Sequence, residues 1–349
     1  MLIKLTNQLL QIPFWHPVLD VIYMVAEKSG GRHSFEPGSI DLLARSEWAR
    51  SRPALTDVLK GLAKSSFQTL ASDAITLMVD NIRDGECEVD AQQKTIKASP
   101  YDAIIILTSP LHILVENETS DGAFLLWMAR LLGERIFREA YNENRITFRQ
   151  VGGKGEMFKS AKALSQGVWQ TNKNGRRPFQ LRAIAVLDSD ARFPNDQPNL
   201  QIKLETASFV AHVHVLNRRS IENYLSAPFM RRRLARLGNM SGADAFFRMS
   251  LDQRKYFPVK DGFRSSARPP VGQSLAEFGA DQGRHQSERD LFSTIDPRDW
   301  DVLKDGFGTR LADVFFDAQH RCSPSDVHQF DTDIKDECKS LIQTIIRHM

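Results

Sequence analysis

The chain has 349 residues, a formal net charge of +3, 42% hydrophobic and 26% charged residues. These values describe an ordinary globular protein, long enough for two domains or one large core with an appendage. A charge so close to balance does not mark a nucleic-acid binder, so any basic surface has to be local. Cys87, Cys322 and Cys338 are widely spaced and form no C-x-x-C pair, which argues against a disulfide framework or a cysteine zinc site. That pattern fits a reducing, cytoplasmic setting. The start MLIKLTNQLLQIPFWHP lacks the apolar core and cleavage site of a leader. The most apolar helical candidate, AFLLWMARLLGERIF (123–137), is too short and too charged to span a bilayer.

In chain order, residues 1–100 read as a mostly helical extension. Its clearest segment is 54–82, where apolar residues recur at three and four. From 101 the pattern alternates between strands and helices. DAIIIL (102–107) and HILVE (112–116) read as short strands, 121–139 as an amphipathic helix and ITFRQV (146–151) as the next strand. Gly152-Gly153 then turns into a helix near 155–165. LRAIAVLD (181–188) is a nearly unbroken apolar strand, as expected when both faces are buried. A helix near 200–210 leads to VHVL (213–216). This order predicts an α/β fold over 101–230, a mainly parallel Rossmann-like sheet with right-handed crossovers and flanking helices. Residues 231–349 are basic, then loop-rich (258–283), then helical, closing on DVHQFDTDIKDECKSLIQTIIRHM (326–349).

Four acids fall at or just past strand ends: Glu116, Asp188, Asp190 and Glu222. Open α/β sheets gather functional groups at the carboxyl ends of their strands. Hard carboxylate oxygens collected there suit Mg²⁺ or Mn²⁺. In D-S-D, Asp188 and Asp190 are two apart, so in extended geometry both point to one side. Two metals held this way would activate a water and stabilise the leaving oxygen of a phosphodiester. A second D-x-D, Asp331 and Asp333, reads as the solvated face of the last helix.

ILVENETSDG (113–122), AVLDSDAR (185–192) and NRRSIENYL (217–225), taken together, resemble the Toprim domain. Topoisomerases, bacterial primases and OLD-family nucleases share that domain, and the basic run before I-E-N-Y-L is most similar to OLD-type and related defence-associated Toprim proteins. The resemblance spans about 101–230. It implies that Glu116, Asp188 and Asp190 bind Mg²⁺ and that Glu222 joins them. The family usually has Gly after its first Glu, where this chain has Asn117, a residue that tolerates left-handed backbone angles. The next acid of the pattern is displaced by about one position. Glu118 and Asp121 compete for it, and Asp121 is favoured because it can also cap the following helix.

VGGKGEM (151–157) is a strand-to-helix turn rather than a Walker A loop, and it leaves Lys154 as a candidate contact for the scissile phosphate. No ATPase motif is present, so the ATP dependence usual in OLD proteins would require a separate ATPase or sensor partner. Arg218, Arg219, Arg231, Arg232 and Arg233 form a basic run with Arg236, and Arg176 and Arg177 lie in a second; phosphate contact and a solvated surface are both open for them. His212 and His214 read as the polar edge of a buried strand, and Tyr224 as a packing residue. The leading expectation is a metal-dependent nuclease on DNA or RNA, for which the resemblance implies a role in anti-phage defence. The alternatives are a non-catalytic binding module with a degenerate Toprim site and a topoisomerase- or primase-type subunit. Homo-oligomerisation is left open.

Overall fold

The computed structural model describes residues 1–29, 32–52, 55, 57–59, 75–90, 92–166, 182–265, 270–317 and 321–349. They form an α/β protein with two mostly parallel sheets flanked by helices.

The first sheet lies where mostly helix was expected. Its strands are β1 (Leu2–Leu5), β2 (Ser34–Phe35), β3 (Thr76–Val79), β4 (Glu88–Asp90) and β5 (Thr95–Ala98), in the order β2-β1-β3-β5-β4, with only β4 antiparallel. Ile3, Leu5, Leu77, Val79, Ile96 and Ala98 alternate with less buried neighbours and point into one core. Runs of two to four residues are too short to show a period of two against the helical stretches between them. The helix expected over 54–82 ends instead in β3, and most of the rest of it lies outside the described residues.

Helix α1 (His16–Lys28) packs on α2 (Pro100–Thr108), the segment expected to be the strand DAIIIL. Here the cap overrides β-branched propensity. Ser99 Oγ accepts the Asp102 N–H at 3.2 Å and donates to Asp102 Oδ2 at 2.9 Å, and Pro100 takes the first helical position. Ala103, Ile106 and Leu107 then face the N-terminal core. The boundary between the two sheets therefore falls after α2, near 110 rather than at 101.

The second sheet follows the expected alternation: β6 (Leu111–Val115), β7 (Ile146–Gln150), β8 (Ala183–Leu187) and β9 (His212–Val215), all parallel, in the order β7-β6-β8-β9. Every residue of β8 is buried, as its unbroken apolar run requires. Leu114, Ala185 and Leu187 pack beneath α5 (Met157–Gln166). Ile113, Val115, Ile184 and Val186 face the other way into a large core. The helix expected over 121–139 is two, α3 (Ala123–Leu131) and α4 (Arg135–Asn142), broken at Gly133, whose φ is +72°. Helix α6 (Leu200–Ala207) links β8 to β9.

Residues 231–349 are not a separate unit. Helix α7 (Ala227–Arg236), the short helices of Met240–Leu303 and the closing helix α8 (Thr332–His348) share one aromatic-rich core with the second sheet. Among the described residues, no helix is long and apolar enough to cross a membrane.

Candidate carboxylate site

The chain runs from β6 outward to β7, then crosses back to place β8 on the other side of β6. That reversal opens a crevice at the carboxyl ends of β6 and β8, where open α/β sheets bind ligands. Glu116 is the first residue past β6 and Asp188 the first past β8. The register Leu114↔Ala185 brings both to the crevice mouth.

Around them the structure assembles two linked groups. In the first, Lys154 contacts Asp190 and stands 3.5 Å from Glu116 Oε1. Lys154 gets there because Gly152 and Gly153, with φ of +80° and +114°, turn the chain sharply after β7 into a short 3₁₀ turn. In the second, Lys260 lies 3.3 Å from Glu222 Oε1. Glu222 is fully buried, and among the described residues its oxygens have no hydrogen-bond partner besides this lysine. Asp188 and Asp121 share the electrostatic field of that pair.

The pKa directions report this crowding. The Asp188 carboxyl is held well above the usual carboxylate range, first by burial and then by Asp121 and Glu222, with Lys260 opposing and Glu116 adding. Glu116 is also raised, by burial, against the pull of Lys154 and with a push from Asp121. Burial raises Asp121 too, although the Asn117 N–H and the Ser120 hydroxyl bond to it. Burial would lower Lys260, but Glu222, Asp188 and Asp121 outweigh it and hold the ammonium above its ordinary value.

Two expectations about backbone are corrected. Asp188 and Asp190 are not an extended i, i+2 pair, because the strand ends at Leu187 and Asp190 adopts φ +53°. Its N–H bonds Arg219 O at 2.9 Å, and Asn199 Nδ2 binds Asp188 O (2.7 Å), Ser189 O (3.2 Å) and Asp190 Oδ2 (2.9 Å). Asn199 thus clamps the whole D-S-D turn. Asn117 does not use left-handed angles: its φ is −135°. It caps a π-type turn over Glu118–Gly122, accepting from Thr119 N at 2.9 Å, while Asp121 Oδ2 reaches back to the Asn117 N–H. The cap is therefore Asn117, with Asp121 as its reciprocal partner. Glu118 shows no such link to the group.

The basic residues fare differently from expectation. Arg218 is buried and donates to Asn223 O and Asp333, with Asp331 3.4 Å away, so the second D-x-D keeps a solvated side, as expected, and also anchors this arginine. Arg233 is buried against Arg310 O and Asp313. Arg219 is largely enclosed and reaches Tyr256 O. Arg231 pairs with Asp244 at 2.8 Å, and Arg232 lies over the Phe229 ring. The run 218–233 is thus spent mainly on internal bonds, not gathered into one phosphate-binding face. Arg176 and Arg177 lie outside the described residues. Tyr224 is buried and donates to Glu337 Oε2 at 2.7 Å, in keeping with packing; His214 meets the same carboxylate at 3.1 Å.

Sequence reading missed Lys260 and Asn199. The turn Pro258–Gly262 was legible as a loop, but nothing local ties it to Glu222. Tertiary packing does: Gly262, with φ +63°, lies so close to Gly306 that an added Cβ would meet its backbone N at 2.2 Å. Backbone bonds Phe307 N–Val259 O (2.8 Å) and Gly308 N–Lys260 O (2.9 Å) fix the loop further. Among the described residues, no three acidic, histidine or cysteine side chains converge in metal-ligating geometry. Compared with known protein families, characterised proteins and solved structures, the chain matches none.

Proposed function

We propose that the chain is a Toprim-like, divalent-metal-dependent phosphodiesterase acting on nucleic acid. The observation that carries this reading is a charge imbalance. Five carboxyls (Glu116, Asp121, Asp188, Asp190 and Glu222) share the crevice with two ammoniums, Lys154 and Lys260, so full ionisation leaves a formal −3. Crowded like charges, of which Glu222 is fully buried and the rest partly so, favour a bound cation or a proton, and these oxygens are hard donors of the kind Mg²⁺ or Mn²⁺ prefers. The donor chemistry suits such an ion, although three of these side chains are not already gathered in ligating geometry. Glu222 offers two buried oxygens with no hydrogen-bond partner besides Lys260 among the described residues, and Glu116 Oε1, beside Lys154, is a third buried one.

Glu116, Asp188 and Glu222 would hold the metal, with Asp121 and Asp190 beside them. The bound ion would lower the pKa of a water and stabilise charge on a phosphate. The chain's own contribution is to hold Asp188 and Glu116 at strand ends, orient the D-S-D turn through Asn199, and present two ammoniums to the phosphate oxygens. The family resemblance adds the expectation of a defence role with a separate ATPase or sensor subunit.

A second reading has one observation in its favour. Each lysine already neutralises a carboxylate, as in a degenerate, non-catalytic site. Incubation with plasmid, linear DNA and RNA in Mg²⁺, Mn²⁺ or EDTA separates the two. The enzyme reading expects cleavage that disappears with EDTA and with Asp188→Ala. Cleavage indifferent to both would refute it, and absence of both cleavage and Mn²⁺ binding by calorimetry would favour the non-catalytic module.

A further inference from the structure

Two clefts adjoin one another beside the carboxylate crevice. The first, about 970 Å³, is lined by Asn117, Ser120, Lys260, Phe316 and Arg321, so it begins at the loop after β6 and at the lysine that meets Glu222. The second, about 580 Å³, is lined by Arg130, Arg138, Tyr141, Phe316 and Arg321. Phe316 and Arg321 belong to both, so the two read as one track leading away from the site.

Its chemistry is distinctive. The second cleft contains three guanidiniums and no acid. Among the described residues, none of Arg130, Arg138 and Arg321 pairs with a carboxylate, unlike Arg218, Arg231 and Arg233. Phe316 is 74% exposed at the junction of the two clefts, and Tyr141 is 37% exposed farther along. The exposed phenyl gains little from water, and the guanidiniums beside it keep their N–H donors free of carboxylates among the described residues. The acids of the first cleft, Asp313 and Asp317, are turned toward Arg233.

We propose that this track binds a single strand of nucleic acid and leads it to the carboxylate site. The three arginines contact successive phosphates, and unstacked bases lie on Phe316 and Tyr141. Sequence-tolerant single-strand binding combines these two elements, a cationic groove and aromatic platforms. A duplex keeps its bases stacked and offers none to Phe316. The inference rests on the nucleic-acid reading of the site and narrows its substrate to single-stranded segments.

The test is fluorescence anisotropy with a labelled oligo(dT), an unstructured oligo(rU) and a hairpin duplex, all in EDTA so that no cleavage intervenes. Tighter binding of either single strand than of the duplex is expected. Phe316→Ala should weaken single-strand binding between about 5-fold and 150-fold. With about −0.7 per neutralised phosphate, the slope of log K against log salt should be about −2 for three contacts, and Arg321→Glu should flatten it. Both side chains are exposed, so neither change threatens folding. Equal affinity for duplex and single strand, or Phe316→Ala and Arg321→Glu binding like the wild type, would overturn the proposal. Binding that depends on the track, with neither cleavage nor Mn²⁺ binding by calorimetry, would leave the track standing and favour the non-catalytic module over the enzyme reading.

Discussion

The pair formed by Lys260 and Glu222 allows a quantitative test of how the site is held together. Glu222 is fully buried and, among the described residues, its oxygens have no hydrogen-bond partner besides the Lys260 ammonium, which stands 3.3 Å away. At that distance and an effective dielectric constant of about 20, the attraction is roughly 5 kcal/mol. The Lys260 side chain is 40% exposed, so water screens part of this. A coupling of about 2–3 kcal/mol is the reasonable expectation. Lys260 is held above its ordinary pKa, so its contribution is complete at every pH below that ordinary value and fades only as pH rises through the raised one. A double-mutant cycle of Lys260→Met, Glu222→Gln and the double variant, followed by thermal unfolding in EDTA at pH 7.5, isolates the term. Lys260→Met alone leaves a buried carboxylate uncompensated and should lower Tm by roughly 4–6 °C, at about 2 °C per kcal/mol for a unit of this size. The double variant should recover most of that loss. A coupling below about 0.5 kcal/mol would refute the assignment of Lys260 as the resident counter-charge of Glu222.

Three further expectations follow from the same geometry. Asp188 and Glu116 have raised folded-state pKa values, so they favour folding below the unfolded carboxylate range and oppose it as pH climbs through the raised values; in EDTA, Asp188→Asn should therefore be more stable than wild type at pH 8 and lose that advantage near pH 4, and parallel pH profiles would contradict this. Asn199→Ala removes the donor that binds Asp188 O, Ser189 O and Asp190 Oδ2 and should cost about 1–3 kcal/mol in urea unfolding, with a larger loss of metal affinity by calorimetry than of stability. Gly262→Ala combines a positive φ with a clash against Gly306 and should destabilise by more than about 3 kcal/mol, measured by the denaturation midpoint, whereas Gly279→Ala, with open space around it, should be nearly neutral.

The legible and illegible parts of this protein divide by range along the chain. The second sheet was readable because each of its strands carries a local pattern: AIAVL is apolar throughout since both faces are covered, and the turn at Gly152-Gly153 announces itself by composition. Glu116 and Asp188 were readable as strand-end acids for the same reason. DAIIIL misled because its isoleucines favour a strand, although Ser99 and Asp102 already spelled a helix cap. The N-terminal sheet stayed hidden because its strands are two to four residues long and draw their stability from pairing across distant segments.

By itself, then, the sequence determined a parallel α/β unit and a set of acids at its strand ends, since strand patterning and the carboxyl-end rule are local consequences of backbone geometry. Only the tertiary structure decided which charges meet them. It brought Lys260 to Glu222 through a glycine–glycine contact, turned Arg218 and Arg233 inward onto acids of the closing segments, and gathered Arg130, Arg138 and Arg321 around Phe316. Charge pairing depends on distance in space, and the folding of intervening residues, not their order, sets that distance.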